Sequence, residues 1–139
     1  MIIRNIHHND YEHYKKLINS NITKEAYENF IDNVLGDHHI ILVIEIGSNI
    51  IGSGTLSIEP KLTYGGCKMG HIENIFVHPA HRKKGYGEQL VHKLLEYAKE
   101  NGCYRVDLNC TSELEHFYEK NGFKQKHICM NVYFKENFN

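Results

Sequence analysis

The most distinctive residues for chemistry form a short basic segment with two glycines in the middle of the chain. It reads Arg-Lys-Lys-Gly-Tyr-Gly at positions 82–87, between a β-rich stretch and an apolar pattern of helical period. Gly85 and Gly87 let the backbone approach a ligand without a Cβ atom in the way. The unpaired N–H groups and the dipole at a helix start attract negative charge. The segment therefore predicts a site for an anion such as a pyrophosphate.

This segment differs from the two common nucleotide-binding loops. A Walker loop needs Gly-Lys-Ser/Thr, and these residues do not follow here. A dinucleotide fingerprint needs a βαβ unit with an acidic residue downstream, and the segment lies mid-chain without one. We therefore expect a different phosphate-containing cofactor.

The surrounding pattern indicates which elements position this segment. Alternation and turn residues predict strands at 2–6, 40–46, 50–58, 71–77, around 105–110 and at 123–134. Helical periodicity predicts two helices between residues 10 and 36, one over 87–101 and a short one over 112–121. This order is typical of an α/β or α+β domain with a mixed sheet. No repeat or linker divides the chain, so a single domain over 1–139 is expected.

Composition narrows the function classes. The 16 basic and 17 acidic residues give a formal net charge of −1, which lacks the basic excess of a general nucleic-acid binder. No run of 18 apolar residues predicts a membrane span, and no signal peptide is recognisable. The four cysteines form no CxxC pair, which favours reduced thiols and a cytoplasmic location.

Two motifs together resemble a known enzyme family. Arg-x-x-Gly-x-Gly after a strand, followed by Phe-Tyr-Glu-Lys-Asn-Gly-Phe at 117–123, is similar to the GNAT acyl-coenzyme A N-acyltransferases. More narrowly, Gly-His-Ile-Glu-Asn-Ile at 70–75 and Gly-Cys-Tyr-Arg at 102–105 resemble the glucosamine-6-phosphate N-acetyltransferase family. The resemblance implies a GNAT-like mixed, mostly antiparallel central sheet with helices on both faces.

The resemblance also implies an activity and a cosubstrate. Acetyl-CoA would supply the acetyl group, and glucosamine 6-phosphate would accept it by direct transfer in a ternary complex, in UDP-N-acetylglucosamine biosynthesis. No metal is expected. The implied cofactor-binding residues are the backbone of one strand and the glycine-containing segment: Ile75, Phe76, Val77, Arg82, Lys83, Lys84, Gly85, Tyr86 and Gly87.

Two residues are expected to handle protons. By the resemblance, Glu73 lies beside the acceptor amine and Tyr118 lies near the coenzyme sulfur, which it can protonate. If strand alternation holds, Glu73 shares a face with Ile75 and Val77, and partial burial raises its pKa toward that of a useful base.

The acceptor is expected to contact Glu73 together with four further residues, of which two depart from the family pattern. Basic Arg105 and Lys61 are candidates for the sugar phosphate. Asn74 stands where the family commonly has Asp, and Asn109 where it has an acidic residue. Both changes weaken the expected binding or deprotonation of the amine.

Two more departures concern the cofactor and the assembly. Leu114 replaces an Asn that the superfamily often places near the cofactor, and Tyr133 replaces an arginine near the C-terminus. The resemblance implies a homodimer in which the C-terminal strand crosses to the partner. Residues 130–134 have the apolar, β-prone composition that such a strand needs.

The 11 histidines raise two alternatives to this account. Adjacent pairs at 7–8 and 38–39 point to opposite faces of an extended chain, so no metal site is expected. His71 and His116 are candidates for assisting proton transfer, although surface or packing roles are the simpler interpretation. Cys110 is interpreted as a core residue and not as an acyl-carrying nucleophile.

Two other functions stay open at this point. One is a GNAT enzyme acting on a different amine, such as a protein N-terminus, a polyamine or an antibiotic. The other is a non-catalytic coenzyme A-binding module, which Asn74 and Asn109 favour.

Overall fold

The structure, a computed structural model, describes residues 1–135 of the chain. It contains five strands and four α-helices in these residues. In chain order they are β1 (Ile2–Asn5), α1 (Tyr11–Ile18), α2 (Lys24–Asn33), β2 (His39–Ile46), β3 (Asn49–Pro60), β4 (Lys68–Val77), α3 (Tyr86–Glu100), β5 (Cys103–Asp107) and α4 (Glu115–Lys120). The chain divides into two compact units, Met1–Leu108 and Asn109–Asn139. The expected single domain stays a prediction.

The first unit is built on one sheet with the strands in the order β1-β2-β3-β4-β5. The first four strands pair antiparallel, and β5 pairs parallel to β4. Helix α3 makes the crossover that this parallel pair requires. The mixed, mostly antiparallel sheet that the sequence predicts is therefore confirmed.

Helices cover both faces of this sheet, as expected. Val43 belongs to a core cluster with Tyr14 of α1 and Tyr27 of α2. The next residue, Ile44, packs with Leu90 of α3. Because neighbouring strand residues point to opposite faces, α1 and α2 cover one face and α3 the other.

The strand predicted over residues 123–134 is wrong. Within the described part of the chain, no residue after α4 belongs to a strand. The apolar residues of this segment are exposed: Ile128, Met130, Val132, Tyr133 and Phe134. Their alternation has the period of a strand, but a strand also needs a neighbour to pair with its backbone, and none is formed here.

Candidate active site

The candidate site lies where β4 and β5 separate. Their pairing runs from Lys68↔Cys103 to His71↔Asp107 and then stops. β4 continues to Val77, paired on its other side with β3. Among the described residues no strand pairs with the β5-facing edge of β4 beyond His71. This edge is open to an extended ligand that can use the backbone N–H and C=O groups.

A β-bulge at Asn74 changes the direction of β4 at the same point. Asn74 has a φ of 56°, in the left-handed region that asparagine tolerates better than most residues. The register with β3 shifts here, from Thr55↔Glu73 to Ser53↔Phe76. Such bulges re-aim side chains next to active sites.

The bulge corrects the expectation that Glu73 and Ile75 share a face. Ile75 lies against Gly54 on the α3 side, since a Cβ built on Gly54 would be 2.7 Å from Ile75 Cδ1 and 3.1 Å from Leu94 of α3. Glu73 follows Ile72, which pairs with Leu56 on that same side, so its side chain points to the opposite face. One extra residue in β4 breaks the alternation on which the expectation rested.

The side chain of Glu73 is only partly buried. Half of its side chain, 50%, is exposed to solvent. The carboxylate is therefore available to an incoming acceptor.

Three side chains of the first unit form a cluster with Glu73, directly or through His71. His71 lies two residues earlier on the same face of β4, with Nε2 3.8 Å from Glu73 Oε2. Asp107 at the end of β5 is hydrogen-bonded to His71 Nδ1 at 2.6 Å. Tyr14 of α1 is influenced by the charge of Glu73. Burial raises the pKa of the Tyr14 phenol, and the Glu73 carboxylate raises it further.

The basic glycine-containing segment forms the turn into α3. Lys83 and Gly85 have positive φ values of 63° and 83°, and Gly85 is the residue that precedes the helix. Arg82 fixes the start of this turn because its Nε donates to the Val77 carbonyl at the end of β4, at 3.0 Å. The turn is thus tied directly to the open edge of β4.

This turn has the properties of an anion site. Gln89 N–H donates to the Gly85 carbonyl at 3.1 Å, so the N–H groups of residues 86–88 belong to the unpaired first turn of α3. No atom lies within 4 Å of a Cβ built on Gly85. The space and the unpaired donors fit the pyrophosphate of a coenzyme A group.

Of the residues expected to bind the sugar phosphate, Arg105 lies on the same strand face as His71 and Glu73. It pairs with Met69 and alternates with Asp107, which puts it four residues of β4, about 13 Å, from Glu73 along the strand. Lys61 is not brought near Glu73. It follows β3 at the far end of β4 and forms an ion pair with Glu59 at 2.9 Å.

The second unit holds the other expected site residues. Tyr118 is buried within α4, and this burial raises the pKa of its phenol, to which the Cys110 thiol adds. Asn109 and Cys110 are exposed in the segment before α4. The interpretation of Cys110 as a core residue is therefore wrong: its strand ends at Asp107, before the alternation reaches it.

Neither a metal-binding cluster nor a membrane-spanning helix is present in the described residues 1–135. They contain no group of three or more His, Cys, Asp or Glu side chains arranged to hold a metal ion. None of their helices is both long enough and apolar enough to cross a bilayer.

The fold and the site geometry define an acetyltransferase of the GNAT type. Residues 3–123 match the Acetyltransferase (GNAT) family, and the chain belongs to that family. Among curated relatives it is 46% identical over 104 residues to "Probable glucosamine 6-phosphate N-acetyltransferase 2" of Oryza sativa subsp. japonica, a match that covers 72% of this chain and 63% of that protein. It is also 36% identical over 121 residues to the glucosamine 6-phosphate N-acetyltransferase of Arabidopsis thaliana, covering 84% of this chain and 81% of that protein.

A solved structure supports the same family assignment. The crystal structure of glucosamine-6-phosphate N-acetyltransferase from Arabidopsis thaliana superimposes with a TM-score of 0.91 at 33% identity, covering 96% of this chain and 98% of that chain. The resemblance predicted from the motifs at 70–75, 82–87, 102–105 and 117–123 is confirmed.

Sequence reasoning missed two residues of the Glu73 cluster. Asp107 drew no attention because its contact with His71 depends on the register of β4 and β5, which are 36 residues apart at that pair. The only local signal was that Asp107 alternates in phase with Arg105. Tyr14 lies within the helical pattern predicted between residues 10 and 36, and no sequence signal links it to Glu73.

Proposed function

We propose that the protein transfers the acetyl group of acetyl-CoA to the amine of glucosamine 6-phosphate, by direct transfer while both substrates are bound. The observation that carries this proposal is the separation of β4 from β5, which leaves an open strand edge between Glu73 and the anion-binding turn. The relatives supply the acceptor, because those cited above are named for glucosamine 6-phosphate.

Acetyl-CoA binding uses the open edge and the turn. The backbone of Ile75, Phe76 and Val77 pairs with the pantetheine arm as an added strand would. The turn at 82–87 receives the pyrophosphate on the first N–H groups of α3, with Lys83 and Lys84 adding positive charge. Acetyl-CoA supplies an activated thioester carbonyl, and a backbone N–H of β4 is the donor that polarises its oxygen.

Glu73 handles the proton of the acceptor. An amine attacks a carbonyl only with a free electron pair, so the bound ammonium group must first lose a proton. Glu73 is exposed at the start of the open edge and acts as the proton acceptor. Asn74, beside it, offers an amide to the sugar instead of the second carboxylate common in the family.

Tyr118 is the proton donor to the departing thiolate. Its raised pKa keeps the phenol protonated at neutral pH, which is the form a proton donor needs. Asn109 in the same unit takes the acceptor-binding position at which the family has an acidic residue.

Arg105 is the main cation for the sugar phosphate in the first unit. Its guanidinium can bind two phosphate oxygens at once, which lysine cannot do. Lys61, held by Glu59, contributes less.

A homodimer completes the assembly. Residues 128–134 expose five large apolar side chains in one short segment, including Met130 at 88% and Phe134 at 94%. Soluble monomers rarely expose a contiguous apolar patch of this kind. A second copy covers it in the dimer, so Ile128→Ser with Val132→Ser should yield monomers in sedimentation, whereas Leu62→Ser, at a fully exposed position elsewhere, should not.

The location proposed is the cytoplasm. The four cysteines are all free in the structure, and two of them, Cys110 and Cys129, are exposed. Free exposed thiols persist in a reducing compartment.

The test is a thiol-release assay with acetyl-CoA and a panel of amines. Glucosamine 6-phosphate should exceed unphosphorylated glucosamine by at least ~10-fold in kcat/KM, about the contribution of one charge-assisted hydrogen bond. Equal rates on the two sugars would remove this acceptor. Faster release with a polyamine or a peptide N-terminus would favour another GNAT enzyme, and binding of acetyl-CoA without release would indicate a non-catalytic module.

A further inference from the structure

A chain of three side chains runs from the end of β5 to Glu73. Asp107 Oδ1 lies 2.6 Å from His71 Nδ1. The other ring nitrogen, Nε2, faces Glu73 Oε2 at 3.8 Å. His71 thus bridges a carboxylate on a neighbouring strand and the residue that receives the acceptor's proton.

The hydrogen bond to Asp107 decides which nitrogen of His71 carries the proton. An ionised carboxylate can only accept, so Nδ1 must donate. In the neutral ring Nε2 is then left with a free electron pair, on the nitrogen that lies 3.8 Å from Glu73 Oε2. The ring is oriented to accept a proton from the Glu73 side.

The His71–Asp107 pair lies at the point where β4 and β5 separate. His71 and Asp107 form the last register pair before β4 and β5 separate, two residues before Glu73. A second histidine–aspartate pair, His8 Nε2 with Asp32 Oδ1 at 2.8 Å, joins the 3-10 turn before α1 to α2. That pair joins the same two residue types but is not part of the Glu73 cluster. It therefore serves as an internal control.

We propose that His71, oriented by Asp107, takes from Glu73 the proton that Glu73 removes from the acceptor amine and passes it to solvent. The amine N–H bond breaks as Glu73 gains the proton. The Glu73 O–H bond then breaks as His71 Nε2 gains it, and Asp107 stabilises the resulting imidazolium. Release to water restores the neutral ring, so no proton or charge accumulates.

This inference rests on the proposed function, since it assigns a route to the proton of that acceptor. The present 3.8 Å is longer than a hydrogen bond, so a shift of roughly 1 Å brings the two atoms into contact. Both side chains have room for it, because 35% of the His71 side chain and 50% of the Glu73 side chain are exposed. As His71 acts through Glu73, it is a positioning residue.

The other elements next to His71 add few groups that could titrate in its place. β3 places Ser57 opposite His71 and Thr55 opposite Glu73, and neither changes charge in the range of interest. The titratable or charged groups on this side include Glu73 of β4, Arg105 and Asp107 of β5, Glu59 of β3, which is paired with Lys61, His39 of β2, which pairs with Ser57, and Tyr14 of α1.

The kinetic test compares His71→Gln with His8→Gln as the matched control. If Glu73 and His71 must both be unprotonated, log kcat falls with decreasing pH along a limb governed by two groups. His71→Gln should lower kcat about 10-fold at neutral pH, and the slope of that limb should fall by about one. Added imidazole buffer should restore part of the rate in His71→Ala. His8→Gln should match wild type in all three respects.

Asp107→Asn keeps the shape of the partner but removes its charge, so it should lower kcat less than His71→Gln and move the acid limb. An unchanged slope and no response to imidazole in the His71 variants would overturn the proposal, even if their kcat were reduced.

A second measurement does not depend on the acceptor. Nitrogen-15 NMR of the His71 ring should show the Nδ1–H tautomer in the neutral wild-type protein, and Asp107→Asn should reduce its population. An Nε2–H tautomer would overturn the role of His71. The two failures are distinct: no thiol release by wild type with glucosamine 6-phosphate removes the proposed acceptor, whereas the wrong tautomer removes the relay whatever the acceptor is.

Discussion

The two halves of β4 have opposite relations to their surroundings. From Lys68 to His71 the strand is paired on both sides, and Met69 and Gly70 are buried. From Glu73 to Val77 it is paired only with β3, carries a bulge at Asn74 and has no fully buried residue. One strand thus serves as core in its first half and as an accessible edge in its second.

This difference shows how a rigid fold can hold a binding edge and reactive side chains in an accessible position. Pairing on both sides satisfies the backbone and fixes the position of the strand. The paired half holds the open half in place, and the N–H and C=O groups on the free edge of the open half remain available to a ligand. Substitutions at the buried positions of the first half should therefore reduce stability, and those along the open edge of the second half should reduce activity.

Ile72 marks the boundary and should show the largest effect on stability. Its side chain is 1% exposed and packs on the α3 side of the sheet. Ile72→Ala should lower the free energy of unfolding by about 2–5 kcal/mol, from lost burial and the cavity left behind. Denaturant titration measures this. A loss below 1 kcal/mol would show that the boundary is not part of the core.

Glu73→Gln should have the largest effect on turnover. We expect a kcat at neutral pH about 10²-fold lower, because the amide cannot accept the proton, with acetyl-CoA affinity and the melting temperature nearly unchanged. Glu96→Gln, at an exposed carboxylate of α3, is the matched control and should retain wild-type kinetics. Full activity of Glu73→Gln across the pH range would assign the base to another group.

Gly85→Val should weaken acetyl-CoA binding by roughly 10-fold or more, or about 1.4 kcal/mol. The new side chain would occupy the space at the anion site and oppose the φ of 83°. Gly47→Val is the control, since Gly47 also has a positive φ of 63° and open space, in the β2–β3 turn. Calorimetry separates the two: equal affinities in the folded variants would reject the site.

Tyr118→Phe should give the smallest effect, a kcat only a few-fold lower, because water can also protonate a thiolate. The phenol is the protonated form below its raised pKa, so its contribution is present at neutral pH and is lost as pH rises through that pKa. The ratio of wild-type to variant kcat should therefore fall toward one at high pH. A ratio that grows with pH would contradict a donor role.

The sequence predicted the parts of this molecule that local patterns encode. Helix α3 and the turn before it follow from apolar spacing and from the glycines at 85 and 87. The antiparallel strands follow from β-branched runs separated by turn residues. These signals lie within windows of about 15 residues, which is the range over which periodicity carries information.

The errors have a common physical origin in contacts that no local window contains. Alternation cannot reveal the extra residue at Asn74, so it predicts one shared face for Glu73 and Ile75, which lie on opposite faces. The apolar alternation at 128–134 predicted a strand, but pairing depends on a partner backbone. The Asp107–His71 bond depends on the register between two strands joined by a long crossover.

The most direct test of the central claim is amide hydrogen exchange along β4, with and without coenzyme A. The account predicts that the ligand slows exchange at residues 75–77 and at the first turn of α3, while residues 68–71, already paired on both sides, exchange as before. Slowed exchange at residues 68–71 with none at 75–77 would contradict the division of this strand into a core half and a ligand-binding half.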